Sequence, residues 1–188
     1  MPKEKPKTKS SLRYDLGCGK LKQDGFTGVD ITKKGTKADI ELDLLKFPWP
    51  WEDNSVDEIF CAHFIEHIPH GNGSQDPFFE FFNEVYRVMK PNAIAKFVAP
   101  YYTSIRAWQD PTHQRAISEA TFLYLTKQWR DIPQNDVAHY PIKCNFDIQI
   151  SPVGLYPDWE GRPQEAVQYA MAHYWNVALD IMAVLKKI

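Results

Sequence analysis

Two short segments, Asp15-Leu16-Gly17-Cys18-Gly19 and Gly28-Val29-Asp30, constrain this chain more than any others. Leu12, Tyr14 and Leu16 alternate with Arg13 and Asp15, the period of a strand that ends at Leu16. The two glycines that follow let the backbone turn beneath a ligand with no side chain in the way. A second strand ends at Asp30 on the same sheet edge, where a carboxylate can accept hydrogen bonds from both hydroxyls of a ribose. Together the segments outline a nucleotide-type pocket, and the ligand they imply is a nucleoside. A dinucleotide fingerprint needs a third glycine three residues after the second and a helix N-terminus aimed at a pyrophosphate. Lys22 stands at that position, which argues against NAD or FAD.

Four more segments follow: Asp39-Ile40-Glu41-Leu42-Asp43-Leu44, Pro48-Trp49-Pro50-Trp51-Glu52-Asp53-Asn54-Ser55-Val56-Asp57, Glu66-His67 and Arg87-Val88-Met89-Lys90-Pro91. In order and spacing the whole set resembles class I S-adenosylmethionine-dependent methyltransferases, whose cofactor carries a ribose and no phosphate. The resemblance covers residues 12–125 and departs at Asn92-Ala93, where the family usually has two glycines after Lys-Pro. It implies S-adenosylmethionine as cofactor, with Gly17, Cys18 and Gly19 in the turn beneath it. Asp15 would face the amino end of the methionine moiety, and Asp30 with Ile31 would hold the ribose. Asp43 and Leu44 would meet the adenine edge, while Ala62, His63 and Phe64 would line the methionine side. The alternative for Asp15 is a carboxylate that only caps the glycine turn; for Asp30 it is a surface turn residue.

At 188 residues the chain can bury a substantial core without disulfides or metals. Residues 11–188 are read as one domain, and residues 1–10, with Lys3, Lys5, Lys7 and Lys9, as a disordered basic tail. A nucleic-acid-binding arm is the alternative for that tail. A net charge of -2 gives no electrostatic footprint for a nucleic-acid binder. The three irregularly spaced cysteines fit reduced thiols in a cytoplasmic protein. No apolar run reaches membrane-spanning length.

The fold expected is α/β: a Rossmann-like, doubly wound, mostly parallel sheet. Further strands are read at residues 38–42, 56–62, 94–99, 145–153 and 177–185, and helices at 77–89, 119–129 and 164–172. The resemblance implies that the last two strands pair antiparallel as an edge hairpin. Residues 166–188 admit either a helix then a strand, or one long helix. The first two crossovers are too short for full helices, which predicts reduced helices on one sheet face, left solvated or covered by a second copy in a homodimer.

Several side chains could carry chemistry. His63-Phe64-Ile65-Glu66-His67 matches the inverted zinc-protease pattern, which needs one continuous helix; a strand at 56–62 and Pro69 argue against it. Tyr101 and Tyr102 are read as a wall of the substrate pocket, with a place in the core as the alternative. Asp110-Pro111-Thr112-His113, between Trp108 and Arg115, follows strand five, on the edge where doubly wound sheets bind ligands. If the methyl acceptor must lose a proton, His113, His63 and Asp110 are the candidate catalytic residues, in that order. A turn stapled by Asp110 and Thr112 is the structural alternative. Tyr101, Tyr102, Trp108 and Arg115 are the candidate substrate contacts. The function expected is methyl transfer to a small-molecule acceptor, with nucleic-acid and protein substrates left open. The rivals are a cofactor-binding regulatory or assembly protein without transfer, and a zinc hydrolase using His63, Glu66 and His67.

Overall fold

The computed structural model describes residues 11–71 and 75–188; the basic tail at 1–10 lies outside them. One seven-stranded sheet runs through the molecule. Its strands are β1 (Arg13–Leu16), β2 (Thr27–Asp30), β3 (Ile40–Glu41), β4 (Val56–Ala62), β5 (Met89–Pro100), β6 (Phe146–Leu155) and β7 (Ala178–Lys187). They lie in the order β3-β2-β1-β4-β5-β7-β6. The first five are parallel, and β7 pairs antiparallel with both β5 and β6. The expected mixed α/β sheet with its antiparallel C-terminal edge is therefore the fold.

Helix α1 (Pro77–Val88) starts where sequence rules place it: the Asp76 side chain accepts the Phe78 N–H and Pro77 opens the first turn. Phe78, Phe81, Phe82, Val85 and Val88 recur at helical spacing and are all buried. Phe82 meets Phe97 of β5 at 4.9 Å between ring centroids, which joins the helix to the sheet core. The remaining helices are short: α2 (Arg106–Gln109), α3 (Glu119–Leu123), α4 (Lys127–Arg130) and α5 (Gln164–His173).

The expected helix over 119–129 is in fact two, because the Leu125 N–H turns back to Phe122 O and Thr126 re-enters extended geometry before α4. Residues 166–188 form the end of α5 and then β7, not one long helix. β3 shrinks to two residues, and β5 begins five residues before the expected start at 94. Asn92 sits in β5 with φ 65°, so at the place where the family has glycine an asparagine takes the left-handed conformation it tolerates.

Between β1 and β2, β2 and β3, and β3 and β4 the described residues contain no helix. On one sheet face Tyr14, Leu16, Ile59, Cys61, Phe97 and Ile181 are buried. On the other, Phe60, Val98 and Met182 are only half-buried, with Arg13, Glu58 and Lys96 between them. Glu58 bridges Arg13 at 3.4 Å and Lys96 at 3.9 Å. The expectation of a face with reduced helices holds.

A packed loop takes the place of a helix between β3 and β4. Trp51 stacks on Tyr14 at 4.1 Å, and the Trp49 N–H donates to Glu84 Oε1 at 2.6 Å. Arg87 fastens the loop: its guanidinium donates to both Glu84 oxygens, to Asp53 and to the carbonyls of Trp49 and Trp51. Removing it strands the buried Glu84 charge. Arg87→Met should cost about 3 kcal/mol in urea unfolding, with Arg87→Lys recovering only part because an ammonium cannot reproduce the planar fork. A loss below about 1 kcal/mol would show that the loop is held by its aromatic packing alone.

Candidate functional site

The carboxyl ends of β1, β2 and β4 open on a cavity of about 340 Å³, within the usual range for small-ligand sites. Gly17, Asp30, Ile31, Asp43, Leu44, His63, Phe64 and His67 line it. A larger hollow of about 700 Å³ lies at the opposite, amino ends of the parallel strands. Two of its cations are engaged, Arg87 with Glu84 and Lys187 with Asn54, Tyr86 O and Met89 O.

Each strand end contributes a group to the smaller cavity. Gly17 has φ 68°, and a Cβ there would fall 2.8 Å from the Phe64 ring, so this residue must be glycine for chain and ring to meet. Gly19 has φ 49° and donates its N–H to Asp30 Oδ2 at 2.9 Å. The other Asp30 oxygen accepts the Ile31 N–H at 2.8 Å. The carboxylate is thereby fixed, and each oxygen keeps a lone pair for a diol. Asp43 Oδ1 accepts the Leu45 N–H at 3.0 Å beside the buried Leu44. These features fit a nucleoside: a side-chain-free floor, an oriented bidentate acceptor and an aliphatic wall.

Other candidates have different surroundings. Asp15 is buried and its Oδ2 accepts the Gln23 N–H at 2.7 Å, fastening the β1–β2 loop; burial raises its pKa. Cys18 is buried in the turn, and burial with the neighbouring carboxylates pushes its thiol up to about 11. Ala62 ends β4, one residue before the cavity wall. Arg115 donates to the carbonyls of Ile68 and Pro69 and to Asp76 at 2.7 Å, so its guanidinium is spent on joining a loop to α1. Tyr101 is buried and donates to Glu119 at 2.8 Å. Tyr102 and Trp108 stay exposed, joined by the Trp108 indole N–H to Tyr102 O at 3.0 Å. Trp108 lies 6.4 Å from Trp175, an exposed aromatic that the sequence reading did not single out.

Beyond β4 the backbone makes an abrupt corner: His63 has φ 54°, and Ile65–His67 is a single 3-10 turn. The inverted zinc-protease helix therefore does not form. Instead the Glu66 carbonyl accepts the N–H groups of Gln114 at 2.7 Å and Arg115 at 3.0 Å. That tie brings the 110–115 loop against the corner, with the His67 and His113 rings at 4.7 Å between centroids. Asp110 accepts the Thr112 N–H and hydroxyl, which hold its carboxyl below the usual range. Thr112 Oγ1 in turn meets His67 Nδ1 at 3.1 Å. His63 Nδ1 approaches Glu66 Oε1 at 3.3 Å, and that contact raises the His63 pKa. His63 Nε2 lies 3.9 Å from Asp180, which pairs with Arg106 at 3.1 Å. Burial raises the Asp180 pKa. Asp180 escaped the sequence reading, although an acid inside the apolar run of β7 was the signal for it.

Residues 15–97 match the family model described as a methyltransferase domain. This segment is a methyltransferase domain. Three solved structures share the fold of the chain. A SAM-dependent methyltransferase from Archaeoglobus fulgidus is 20% identical, with TM-score 0.63, covering 94% of this chain and 86% of that one. A Thermotoga maritima SAM-dependent methyltransferase is 11% identical, with TM-score 0.58 over 96% and 84% of the two chains. A Haloferax volcanii complex of a methyltransferase with the Trm112 methyltransferase activator gives 16% identity and TM-score 0.56 over 97% and 84%. No curated protein matches the chain in sequence. Among the described residues no helix of the chain is long and apolar enough to cross a membrane.

The two glycines of the cradle differ in a way that can be measured. Gly17→Ala meets both the left-handed φ and the Phe64 ring, whereas a Cβ at Gly19 meets nothing within 4 Å. Gly19→Ala should cost about 1 kcal/mol in thermal unfolding, and Gly17→Ala at least about 2 kcal/mol with loss of ligand binding. Equal losses at the two sites would show that Phe64 moves aside freely.

Proposed function

We propose that this methyltransferase acts in the cytoplasm on a small-molecule acceptor, which meets the cofactor at the corner formed by His63, His67 and His113. The observation that carries the reading is the convergence of Gly17, Asp30, Asp43 and His63 on one cavity at the carboxyl ends of the strands. Asp30 holds the ribose diol, Leu44 and Asp43 take the adenine edge, and Gly17 lets the ligand lie against Phe64. When bound, S-adenosylmethionine supplies an already activated sulfonium methyl group. The protein's share is to align the acceptor and exclude water. The exposed rings of Tyr102, Trp108 and Trp175 offer planar surfaces on which an acceptor can stack. At the corner, His113 Nδ1 faces Ala107 O at 3.1 Å. A carbonyl only accepts, so Nδ1 carries the proton and Nε2 keeps its lone pair for the acceptor's proton or for another electrophile.

Asp30→Ala removes a fixed acceptor that serves two hydroxyls, so calorimetry should find S-adenosylmethionine bound about 10- to 100-fold more weakly than by the wild type. Unchanged affinity would take Asp30 out of the site. Cofactor carrying a tritiated methyl group, incubated with fractionated cell extract, should label a low-molecular-weight fraction. Tight cofactor binding with no labelled product in any fraction would identify a binding protein instead.

The half-open sheet face is part of the same proposal. Its interleaved Arg13, Glu58 and Lys96 around Phe60, Val98 and Met182 offer a self-complementary surface for a second copy of the chain. Light scattering should give a dimer mass that Phe60→Glu converts to a monomer, and a monomeric wild type would remove the idea.

A further inference from the structure

Glu66 is the buried carboxylate that the fold leaves least explained. It is 1% exposed, and neither side-chain oxygen has a hydrogen-bond partner, the 3.3 Å approach of His63 being poorly aligned. Leaving such a charge in a protein interior is costly unless a cation meets it. Two further imidazoles, those of His67 and His113, stand beside it. One ligand atom from each of Glu66, His67 and His113 lies within 4.8 Å of the other two.

The hydrogen bonds around the rings set their tautomers. Thr112 gives its hydroxyl proton to Asp110 at 2.7 Å, so the Thr112 oxygen can only accept from His67 Nδ1. His113 Nδ1 donates to the Ala107 carbonyl. Both rings are therefore held with the proton on Nδ1 and a lone pair on Nε2, the state in which histidine binds metals. The Asp110–Thr112–His67 chain is the kind of outer support that orients a ligating imidazole.

We propose that Glu66, His67 and His113 bind one divalent first-row transition-metal ion, and that its open positions take an oxygen donor of the methyl acceptor. A site with two histidines and one glutamate suits zinc and keeps a coordination position free for water or substrate. Zinc bonds of about 2.0–2.2 Å place ligand atoms roughly 3.4 Å apart. The three side chains therefore close in by about an ångström on binding, and the half-exposed histidines leave an entry path. His67 also lines the cofactor cavity, so the ion sits at the edge of that cavity. A hydroxyl bound to it loses its proton to water more readily, since metal coordination lowers the pKa of bound oxygen. The acceptor class is then a hydroxyl compound, preferably with a second oxygen in chelating position. This second part of the proposal rests on the methyltransferase reading.

The test is metal binding by the full, untagged chain, stripped with chelator and dialysed against buffered zinc. The expected result is one zinc per chain, at least about 100-fold weaker binding in Glu66→Gln and His113→Ala, and about 10- to 100-fold weaker binding in Thr112→Val. His173→Ala, an exposed histidine on α5, should keep the full stoichiometry. Cobalt in place of zinc should give visible absorption bands that His113→Ala alters. Melting curves establish that each variant is folded. Folded wild type that takes up no zinc, or Glu66→Gln that binds it as well as wild type, overturns the site. Calorimetry with S-adenosylmethionine on the same samples separates the two readings. Cofactor binding without zinc removes the metal alone, whereas zinc binding without cofactor keeps the metal site and overturns its service to methyl transfer.

Discussion

Connections too short for helices govern the first half of this fold. Residues 17–26 and 31–39 must cross between parallel neighbours, and neither stretch contains a helix. The backbone groups that a helix would satisfy internally need other partners. Aspartates at or beside the strand ends supply them: Asp15 takes the Gln23 N–H, Asp30 those of Gly19 and Ile31, and Asp39 that of Gly28. Asp39 also pairs with Lys22, and the two charges hold its pKa below and the lysine's above their ordinary values. The residues that read as ligand contacts are thus also the clamps of the loops, so the cradle is rigid without a helix N-terminus beneath it.

The same economy explains what the sequence made legible. Local signals carried the strand ends, the glycine turn and the cap of α1, because each depends on residues a few positions apart. The split between α3 and α4 was hidden, since residues 119–129 keep a helical apolar pattern while Thr126 and the Asn145 side chain, which accepts the Lys127 N–H at 2.8 Å, restart the turn. Arg115 read as a substrate contact because its neighbours are aromatic and polar; only the folded chain brings Ile68, Pro69 and Asp76 around it. His63, Glu66 and His67 were grouped by a spacing that presupposes a helix. The grouping that forms instead joins Glu66 and His67 to His113, through a backbone contact between distant segments that no local pattern encodes.

The positions of the unsatisfied polar atoms separate the two edges of the sheet. At the amino ends of the parallel strands the buried Lys187 donates to Asn54, Tyr86 O and Met89 O and lies 4.5 Å from the Tyr86 ring centre. Burial still lowers its pKa, yet no valence is left idle. Among the described residues the buried side-chain atoms without partners are both Glu66 oxygens, Thr103 Oγ1 and Asp180 Oδ1. All three residues sit at the carboxyl edge: Glu66 after β4, Thr103 after β5, and Asp180 near the start of the antiparallel β7. A native core tolerates few such groups, because each forfeits hydration without return. Among the described residues, stability is given up in this way only on the edge that carries the cavity of about 340 Å³. That edge is where the proposed ligands would complete the hydrogen-bonding and charge balance that folding leaves open.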